Sequence, residues 1–169
     1  MKLTDEPWVR VDLDQQRLYV FDADRCIAEW PVSTGVKGAG EYLGSGCTPR
    51  GLHRVRIKIG SGCPENSVFV ARRPSGEIYD AELAASCPER DWILSRIIWL
   101  TGTQTGGNRG GDCDTLRRFI YIHGCPDSEP MGVPLSHGCI RMRNADVIEF
   151  FDLIDAGTRV LINESSANA

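Results

Sequence analysis

The segments Tyr121-Ile-His-Gly-Cys125 and Leu135-Ser-His-Gly-Cys-Ile-Arg-Met142 are the most informative part of this chain. Residues 126–134 between them contain three prolines and a glycine, so they cannot form one regular helix or a central strand. The loop is expected to fold back and to bring two histidines within reach of Cys139. Cysteine attacks carbonyl carbons as a thiolate, and an imidazole is the usual acceptor of its proton at neutral pH. The pattern predicts a Cys–His site for acyl transfer.

Short apolar segments on both sides of this region predict strands. In residues 52–59, His53 shares one face with apolar residues at every second position, so it is interpreted as a strand residue rather than a catalytic one. Residues 93–100 fit a strand or a helix on pattern alone, and the β-branched Ile97 and Ile98 favour a strand. The predicted strands are residues 9–13, 18–21, 27–32, 52–59 (with Val55, Ile57 and Ile59 beside His53), 67–71, 93–100, 118–122 and 158–162.

One amphipathic helix is expected near the C-terminus. Val147, Phe150, Phe151 and Ile154 recur at helical spacing after a candidate cap at Asn144. The chain is therefore expected to be mainly β, a sandwich or partly closed barrel of mixed sheet with this helix packed behind the site. Residues 1–163 are predicted to form a single domain, and residues 164–169 a flexible tail.

Charge and hydropathy exclude two classes of partner. The chain has 169 residues and a formal net charge of −4, without the clustered Lys and Arg from which nucleic-acid binding draws its affinity. No segment approaches the roughly 20 apolar residues of a membrane span. Neither nucleic acid nor a membrane is expected as a partner.

The cysteines and the first residues predict a cytoplasmic location. Seven cysteines, an odd number without the spacing of a disulfide framework, indicate reduced thiols. Residues 1–8 contain acids and a proline where a secretory signal needs an apolar core.

The central motif resembles the signature of the YkuD-type L,D-transpeptidases, which act on peptidoglycan stem peptides. The resembling residues are Ile122-His-Gly124 and Ser136-His-Gly-Cys-Ile-Arg141. The resemblance extends to residues 9–21, 31–35, 48–51 and 155–162, and so covers nearly the whole chain. It implies a fold of the mainly β kind expected above. Cys125 departs from the pattern, because a small polar residue is expected there, and it places a second thiol at the edge of the site.

The resemblance also implies roles for individual residues. Cys139 would be the nucleophile and His123 its general base, with the Gly124 carbonyl holding the imidazole in a useful tautomer. The backbone N–H groups of Gly138 and Cys139 would face the oxygen that becomes negative in the tetrahedral intermediate.

Three further residues are expected to shape the substrate site. Arg141 would hold the carboxylate of a terminal D-alanine by a two-point contact. Ser136 would form hydrogen bonds within the turn, and His137 would shape the loop. No metal and no cofactor is implied.

The implied reaction is attack on the carbonyl of the L-centre of a diamino acid, release of D-alanine and formation of a thioester. Water would then give an L,D-carboxypeptidase that trims tetrapeptides to tripeptides, whereas an amine would give 3→3 crosslinks or exchange. The expected cytoplasmic location favours hydrolysis during muropeptide recycling. Carbapenems would be covalent inhibitors.

Two readings from other classes stay open at this point. His123, Cys125, His137 and Cys139 could supply four ligands to a tetrahedral zinc ion, although structural zinc sites usually contain Cys-x₂₋₄-Cys spacing. Alternatively, Cys139 could be a structural thiol in a module that only binds peptidoglycan fragments.

Overall fold

The computed structural model describes residues 6–165. Ten strands form one mixed sheet, which does not close into a barrel, and this confirms the mainly β prediction. The strands are β1 (Trp8–Asp12), β2 (Arg17–Asp22), β3 (Arg25–Pro31), β4 (Gly51–Ile59), β5 (Ser67–Val70), β6 (Arg73–Ile78), β7 (Leu94–Gly102), β8 (Tyr121–Gly124), β9 (Ile140–Met142) and β10 (Arg159–Asn163). The helices are α1 (Ala81–Ser86) and α2 (Asn144–Leu153).

The order of strands places the ends of the described chain side by side. Along the sheet the order is β3-β2-β1-β10-β4-β7-β5-β6, while β8 pairs with β7 and then with β9. The pairs β1–β10 and β8–β9 are parallel, and the other pairs are antiparallel. The two strands of the central motif thus lie together at one margin.

The hydrophobic core lies on the face of the sheet that α2 covers. Val147, Phe150 and Phe151 of α2 are buried in one cluster with Ile122 and Ile140, which are register partners on β8 and β9. Because neighbouring residues of a strand point to opposite faces, the residues on either side of Ile122 and Ile140 lie on the other face. That other face carries the central motif.

The predicted helix is present, but its start differs in detail from the expectation. Arg143 occupies the cap position without a side-chain hydrogen bond, and Asn144 is the first helical residue. The Asn144 side chain is instead buried, and it donates to the Cys125 carbonyl and accepts from the Ser95 hydroxyl. Its preference for local polar contacts is satisfied by the tertiary structure rather than by the helix end.

Two local predictions are wrong for backbone reasons. A bulge between Val55 and Ile57 shifts the register of β4 by one residue, so Ile57 lies 41 % exposed on the face opposite His53. The strand expected at residues 118–122 begins only at Tyr121, because Phe119 has a φ of +56° in the preceding turn. His53 itself lies buried in β4, as expected.

The segment between β5 and β7 adds elements that the pattern did not indicate. β6 forms a hairpin with β5, and α1 begins after Asp80, whose side chain accepts the Leu83 N–H at 2.8 Å. Leu83 and Tyr79 pack against buried Trp92. This packing holds the residues just before β7 close to β8 and β9, the strands of the central motif.

The boundaries of the predicted domain and tail stay predictions. Residues 1–5 and 166–169 lie outside the described residues, and Glu164 forms an ion pair with Arg50 at 2.9 Å. No described helix has the length and apolar character needed to cross a membrane.

Candidate active site

The register of the margin strands places the candidate catalytic residues on one face. His123 on β8 is the partner of Arg141 on β9 and of Ile97 on β7. Cys139 immediately precedes β9 and lies beside Tyr121, whose backbone N–H donates to its sulfur at 3.3 Å. His123 is two residues farther along β8, on the same face of the sheet.

The Cys139 thiol is protonated at neutral pH in this environment. Its Sγ accepts the Tyr121 N–H and donates to the Phe119 carbonyl, both at 3.3 Å. Burial raises the pKa of the Cys139 thiol to about 11, and this outweighs the hydrogen bond from Tyr121, which lowers it. Attack on a carbonyl from this position therefore requires a proton acceptor.

His123 is in the protonation state of such an acceptor. Its side chain is buried, and Nδ1 lies 2.7 Å from the Gly124 carbonyl oxygen. A carbonyl can only accept, so Nδ1 carries the proton and Nε2 carries the lone pair. Burial also lowers the pKa of His123 despite this hydrogen bond. The imidazole is therefore neutral, with Nε2 able to take a proton.

The turn before Cys139 depends on glycine at position 138. Gly138 has a φ of +127°, and a Cβ atom there would lie 3.1 Å from the Cys47 carbonyl oxygen. The Gly138 carbonyl accepts the Thr48 hydroxyl at 2.9 Å, so the loop before β4 fixes this turn. Gly138 therefore has both a backbone and a packing reason for lacking a side chain.

Of the two backbone donors expected to face the oxyanion, one is occupied. The Gly138 N–H donates to the Ser136 hydroxyl at 3.2 Å, and that hydroxyl donates to the Cys139 carbonyl. Among residues 6–165, the Cys139 N–H has no hydrogen-bond partner. Ser136 is 1 % exposed and shapes the turn through these two hydrogen bonds.

Arg141 lies on the same face, but an acid already contacts it. The Asp91 carboxylate accepts from Nη2 of Arg141 at 3.2 Å, and the Arg141 side chain is 12 % exposed. The other Asp91 oxygen lies 3.7 Å from Nδ1 of His137, whose side chain is largely exposed. A cavity of about 200 Å³ opens here, lined by Asp91, Trp92, His137 and Arg141 among others.

Cys125 is a buried thiol at the wall of this cavity. It is 1 % exposed, and its sulfur donates to the Met142 carbonyl at 3.5 Å. Burial raises the pKa of the Cys125 thiol to about 12. The thiol therefore stays protonated at neutral pH.

The zinc reading does not fit the arrangement of the four candidate ligands. Within residues 6–165, no group of three or more His, Cys, Asp or Glu side chains could hold a metal ion. His137 points to Asp91 and is exposed, whereas Cys125 is buried against Met142. The motif does not assemble a tetrahedral site.

A comparison with protein families identifies the family of this chain. The model of the YkuD L,D-transpeptidase catalytic domain matches residues 6–162. The chain belongs to the YkuD L,D-transpeptidase family. The matched segment is a catalytic domain, so family membership places this chain among enzymes.

Individual relatives agree with this membership. YqjB of Bacillus subtilis (strain 168), named an L,D-transpeptidase, is 29 % identical over 164 residues, which are 97 % of this chain and 75 % of YqjB. YkuD of the same organism, which carries the same type of name, is 50 % identical over 59 residues, which are 34 % of this chain and 36 % of YkuD.

Among solved structures, L,D-transpeptidase 3 from Mycobacterium tuberculosis, in complex with a faropenem-derived adduct, has a similar fold. The TM-score is 0.55 at 20 % identity, and the match covers 94 % of this chain and 61 % of that one. The L,D-transpeptidase from Mycobacterium smegmatis matches with a TM-score of 0.52 at 17 % identity, over 94 % of this chain and 58 % of that chain. The present YkuD-family chain thus spans about three fifths of these solved chains.

Several residues of this YkuD-family site cannot be predicted from the motif alone. Thr48 and Asp91 lie 90 and 50 residues from their partners in the motif, and only the tertiary structure brings them to it. Arg118 donates to the carbonyls of Gly40 and Cys47, and so ties the loop that contacts Gly138 to the strand margin. Asp91 and Arg118 are charged, and no periodicity or motif distinguishes them from solvated residues.

Proposed function

We propose that this chain is a cysteine-dependent L,D-carboxypeptidase that removes the terminal D-alanine from peptidoglycan tetrapeptides. The observation that carries the proposal is the placement of a half-buried Cys139 thiol and a neutral, buried His123 on one face of the β8–β9 margin, with Nδ1 of His123 held by the Gly124 carbonyl. Family membership supports the reaction class, and these two side chains are the candidate nucleophile and general base.

The first half of the reaction forms a thioester. Cys139 Sγ bonds to the carbonyl carbon of the diamino acid's L-centre as its proton passes to Nε2 of His123. The Cys139 N–H, without a partner among the described residues, is available to the oxygen that becomes negative. The C–N bond to D-alanine then breaks, and His123 returns the proton to the leaving amine.

The second half transfers the acyl group to water. A water molecule gives a proton to His123, its oxygen bonds to the thioester carbon, and the thiolate leaves and is reprotonated. An amine in place of water would complete transpeptidation by the same steps. The reactants available to the enzyme therefore decide between trimming and crosslinking.

The cysteines support a reducing compartment and, with it, hydrolysis. All seven cysteines are free, and four of them, besides Cys125 and Cys139, are half-buried. Free thiols in this number are typical of cytoplasmic proteins, in which soluble muropeptides rather than an assembled wall would be the substrates. We propose the cytoplasm as the location and muropeptide recycling as the role.

One incubation tests the proposal. Purified protein is mixed with a monomeric tetrapeptide, and the products are analysed by mass spectrometry. Tripeptide plus D-alanine is the expected result, with Cys139→Ala as the inactive control. Crosslinked dimer as the main product would replace the carboxypeptidase assignment by transpeptidation. No conversion of any stem peptide would contradict the function itself.

A further inference from the structure

A row of side chains leads across the sheet from Cys139. Tyr121 lies beside Cys139, Trp99 is the register partner of Tyr121, and Ile57 is the partner of Trp99. Adjacent strands are about 4.8 Å apart, so Trp99 lies about 10 Å from Cys139 on the same face. The row leads away from Arg141, which lies along β9 rather than across the strands.

A guanidinium group lies over the middle of this row. Arg72, in the turn between β5 and β6, has its Cζ atom 5.2 Å from the ring centre of Trp99 and 4.8 Å from that of Phe119. Its Nη1 donates to the Tyr121 hydroxyl at 3.2 Å. Three aromatic rings thus fix the position of one cation.

This cation lacks a counterion within the described part of the chain. No carboxylate of residues 6–165 forms an ion pair with Arg72, whereas Asp91 pairs with Arg141. Burying part of a guanidinium on an aromatic surface costs hydration free energy that an anion would offset. Arg72 therefore presents an unpaired positive charge on the site face.

The platform is continuous with the candidate nucleophile. The Phe119 carbonyl accepts the Cys139 thiol, and Phe119 is 49 % exposed. A peptide acylated on Cys139 and extended across the strands would pass over Phe119 and Trp99. An extended α-residue spans about 3.3–3.6 Å, so a group separated from the scissile carbonyl by the length of two or three such residues would reach Arg72.

We propose that Arg72, Trp99 and Phe119 form a subsite for a carboxylate on the acyl part of the substrate, on the amino-terminal side of the scissile bond. This inference rests on the proposed function for its substrate. Arg141 and Arg72 then receive carboxylates on opposite sides of Cys139. In a stem peptide two groups have the required chemistry, the free α-carboxylate of a γ-linked D-glutamate and the side-chain carboxylate of diaminopimelate.

Amidated substrates test the subsite. Three tetrapeptides are compared: the free acid, the peptide amidated at the D-glutamate α-carboxyl, and the peptide amidated at the diaminopimelate side chain. The measured quantity is the ratio of kcat/KM for the acid to kcat/KM for each amide. Arg72→Gln and Arg72→Lys are the variants, and Arg73→Gln is the matched control, because the exposed Arg73 contacts none of the three rings.

Wild type and Arg73→Gln should prefer the acid to one of the amides by about 10- to 100-fold, the usual effect of a hydrogen bond to a charged group. This ratio should fall close to one in Arg72→Gln and to an intermediate value in Arg72→Lys. The amide that is discriminated against identifies the carboxylate. A ratio unchanged by Arg72→Gln, or lowered equally by Arg73→Gln, would overturn the subsite.

Binding without turnover separates this inference from the proposed function. In a Cys139→Ala background, affinity for the acid peptide should fall about tenfold or more when Arg72→Gln is added. Discrimination in binding without turnover by the wild type would reject the function and keep the subsite. Turnover by the wild type without discrimination between acid and amide would keep the function and reject the subsite. If Arg72→Gln does not fold, as judged by circular dichroism, Arg72→Lys provides the same comparison.

Discussion

The Asp91 carboxylate lies 3.2 Å from the guanidinium of Arg141, where the resemblance to L,D-transpeptidases places the carboxylate of a substrate. The protein thus holds one of its own acids on the group that is expected to receive D-alanine. Asp91 is 57 % exposed at its side chain, so it can leave Arg141 without local unfolding. A substrate carboxylate must displace it to form a two-point contact.

Asp91→Asn should therefore lower KM for tetrapeptide. Because Asp91 is exposed to solvent, its ion pair with Arg141 weakens the binding free energy of a competing carboxylate by only about 0.2–1 kcal/mol. This corresponds to roughly 1.5- to 5-fold in KM. Glu89→Gln is the control, because Glu89 is exposed, lines the same cavity and has no ion pair within the described residues. Equal KM values in both variants would show that Asp91 does not compete with substrate.

Arg141→Lys should weaken use of substrates with a free terminal carboxylate, because an ammonium group cannot reproduce the planar contact. Amidation of the D-alanine carboxyl should impair the wild type and have a smaller effect on the variant. The readout is kcat/KM for the acid and the amide with both proteins. Equal cleavage of acid and amide by the wild type would assign Arg141 another role.

The two thiols of the motif should differ completely in function. Cys139→Ala should abolish turnover with little change in unfolding temperature, whereas Cys125→Ser should keep most of the activity. A hydroxyl at position 125 can still donate to the Met142 carbonyl, which accepts the thiol in the native protein. Two measurements provide the comparison: product formation from tetrapeptide, and acylation over a series of carbapenem concentrations, followed by the intact mass of the protein. Loss of activity in Cys125→Ser alone would reverse the assignment of the nucleophile.

The resting protonation states predict the pH dependence of Cys139. With the pKa of the thiol raised to about 11, the thiolate fraction grows about tenfold per pH unit below that value. Alkylation of Cys139 by iodoacetamide, followed by peptide mapping, should accordingly increase about tenfold per unit from pH 7 to 9. A rate that is constant across neutral pH would instead indicate a preformed thiolate–imidazolium pair.

The acylation reaction should behave differently at acid pH. His123 must be neutral to accept the proton, and burial lowers its pKa, so its basic form persists below the usual histidine range. Carbapenem acylation of wild type should thus decline only at a pH below the range in which histidine usually titrates. His137→Ala should retain this profile, because His137 is exposed and contacts Asp91 rather than Cys139.

The sequence predicts the region of β8, β9 and α2 better than the strands and loops around it. His123, Cys139 and the helix behind them follow from a compact motif and from helical periodicity, both of which are local. The bulge at Val55–Ile57 is not local, because it depends on how β4 pairs with β7. A period-2 pattern cannot indicate where such a register shift occurs.

The contacts that complete the site are missed for the same reason. Asp91 reaches Arg141 across 50 residues, and Thr48 reaches Gly138 across 90. Asp91 is brought there by packing of the α1 segment on Trp92, a small cluster whose residues have no clear periodicity. Long-range polar contacts of this kind become visible only when the strands are assembled.

Asn144 should be important for stability although it begins an otherwise ordinary helix. Its side chain is fully buried, bonds to Ser95 and Cys125, and also donates to Asn66 and Asp127. Asn144→Ala would leave buried partners unpaired, at a cost of about 2–3 kcal/mol in the free energy of unfolding. Asp152→Ala, at an exposed position of the same helix, should change it by less than about 0.5 kcal/mol. Urea denaturation measures both, and equal effects would contradict the network's role.

Gly138→Ala and Gly132→Ala form a matched pair in the loop before β9. Both glycines have left-handed φ values, +127° and +84°, so alanine is strained at either position. Only at Gly138 would the new Cβ also meet the backbone, 3.1 Å from the Cys47 carbonyl oxygen, whereas nothing lies within 4 Å at Gly132. Gly138→Ala should therefore shift the turn that presents the Cys139 N–H, and acylation should slow by about 10²-fold, as on loss of an oxyanion donor. Gly132→Ala should lower stability slightly and leave acylation within about twofold, because a residue there approaches no part of the turn. Stopped-flow acylation by a carbapenem measures both rates, and equal slowing in the two variants would attribute the effect to backbone strain rather than to the position of the donor.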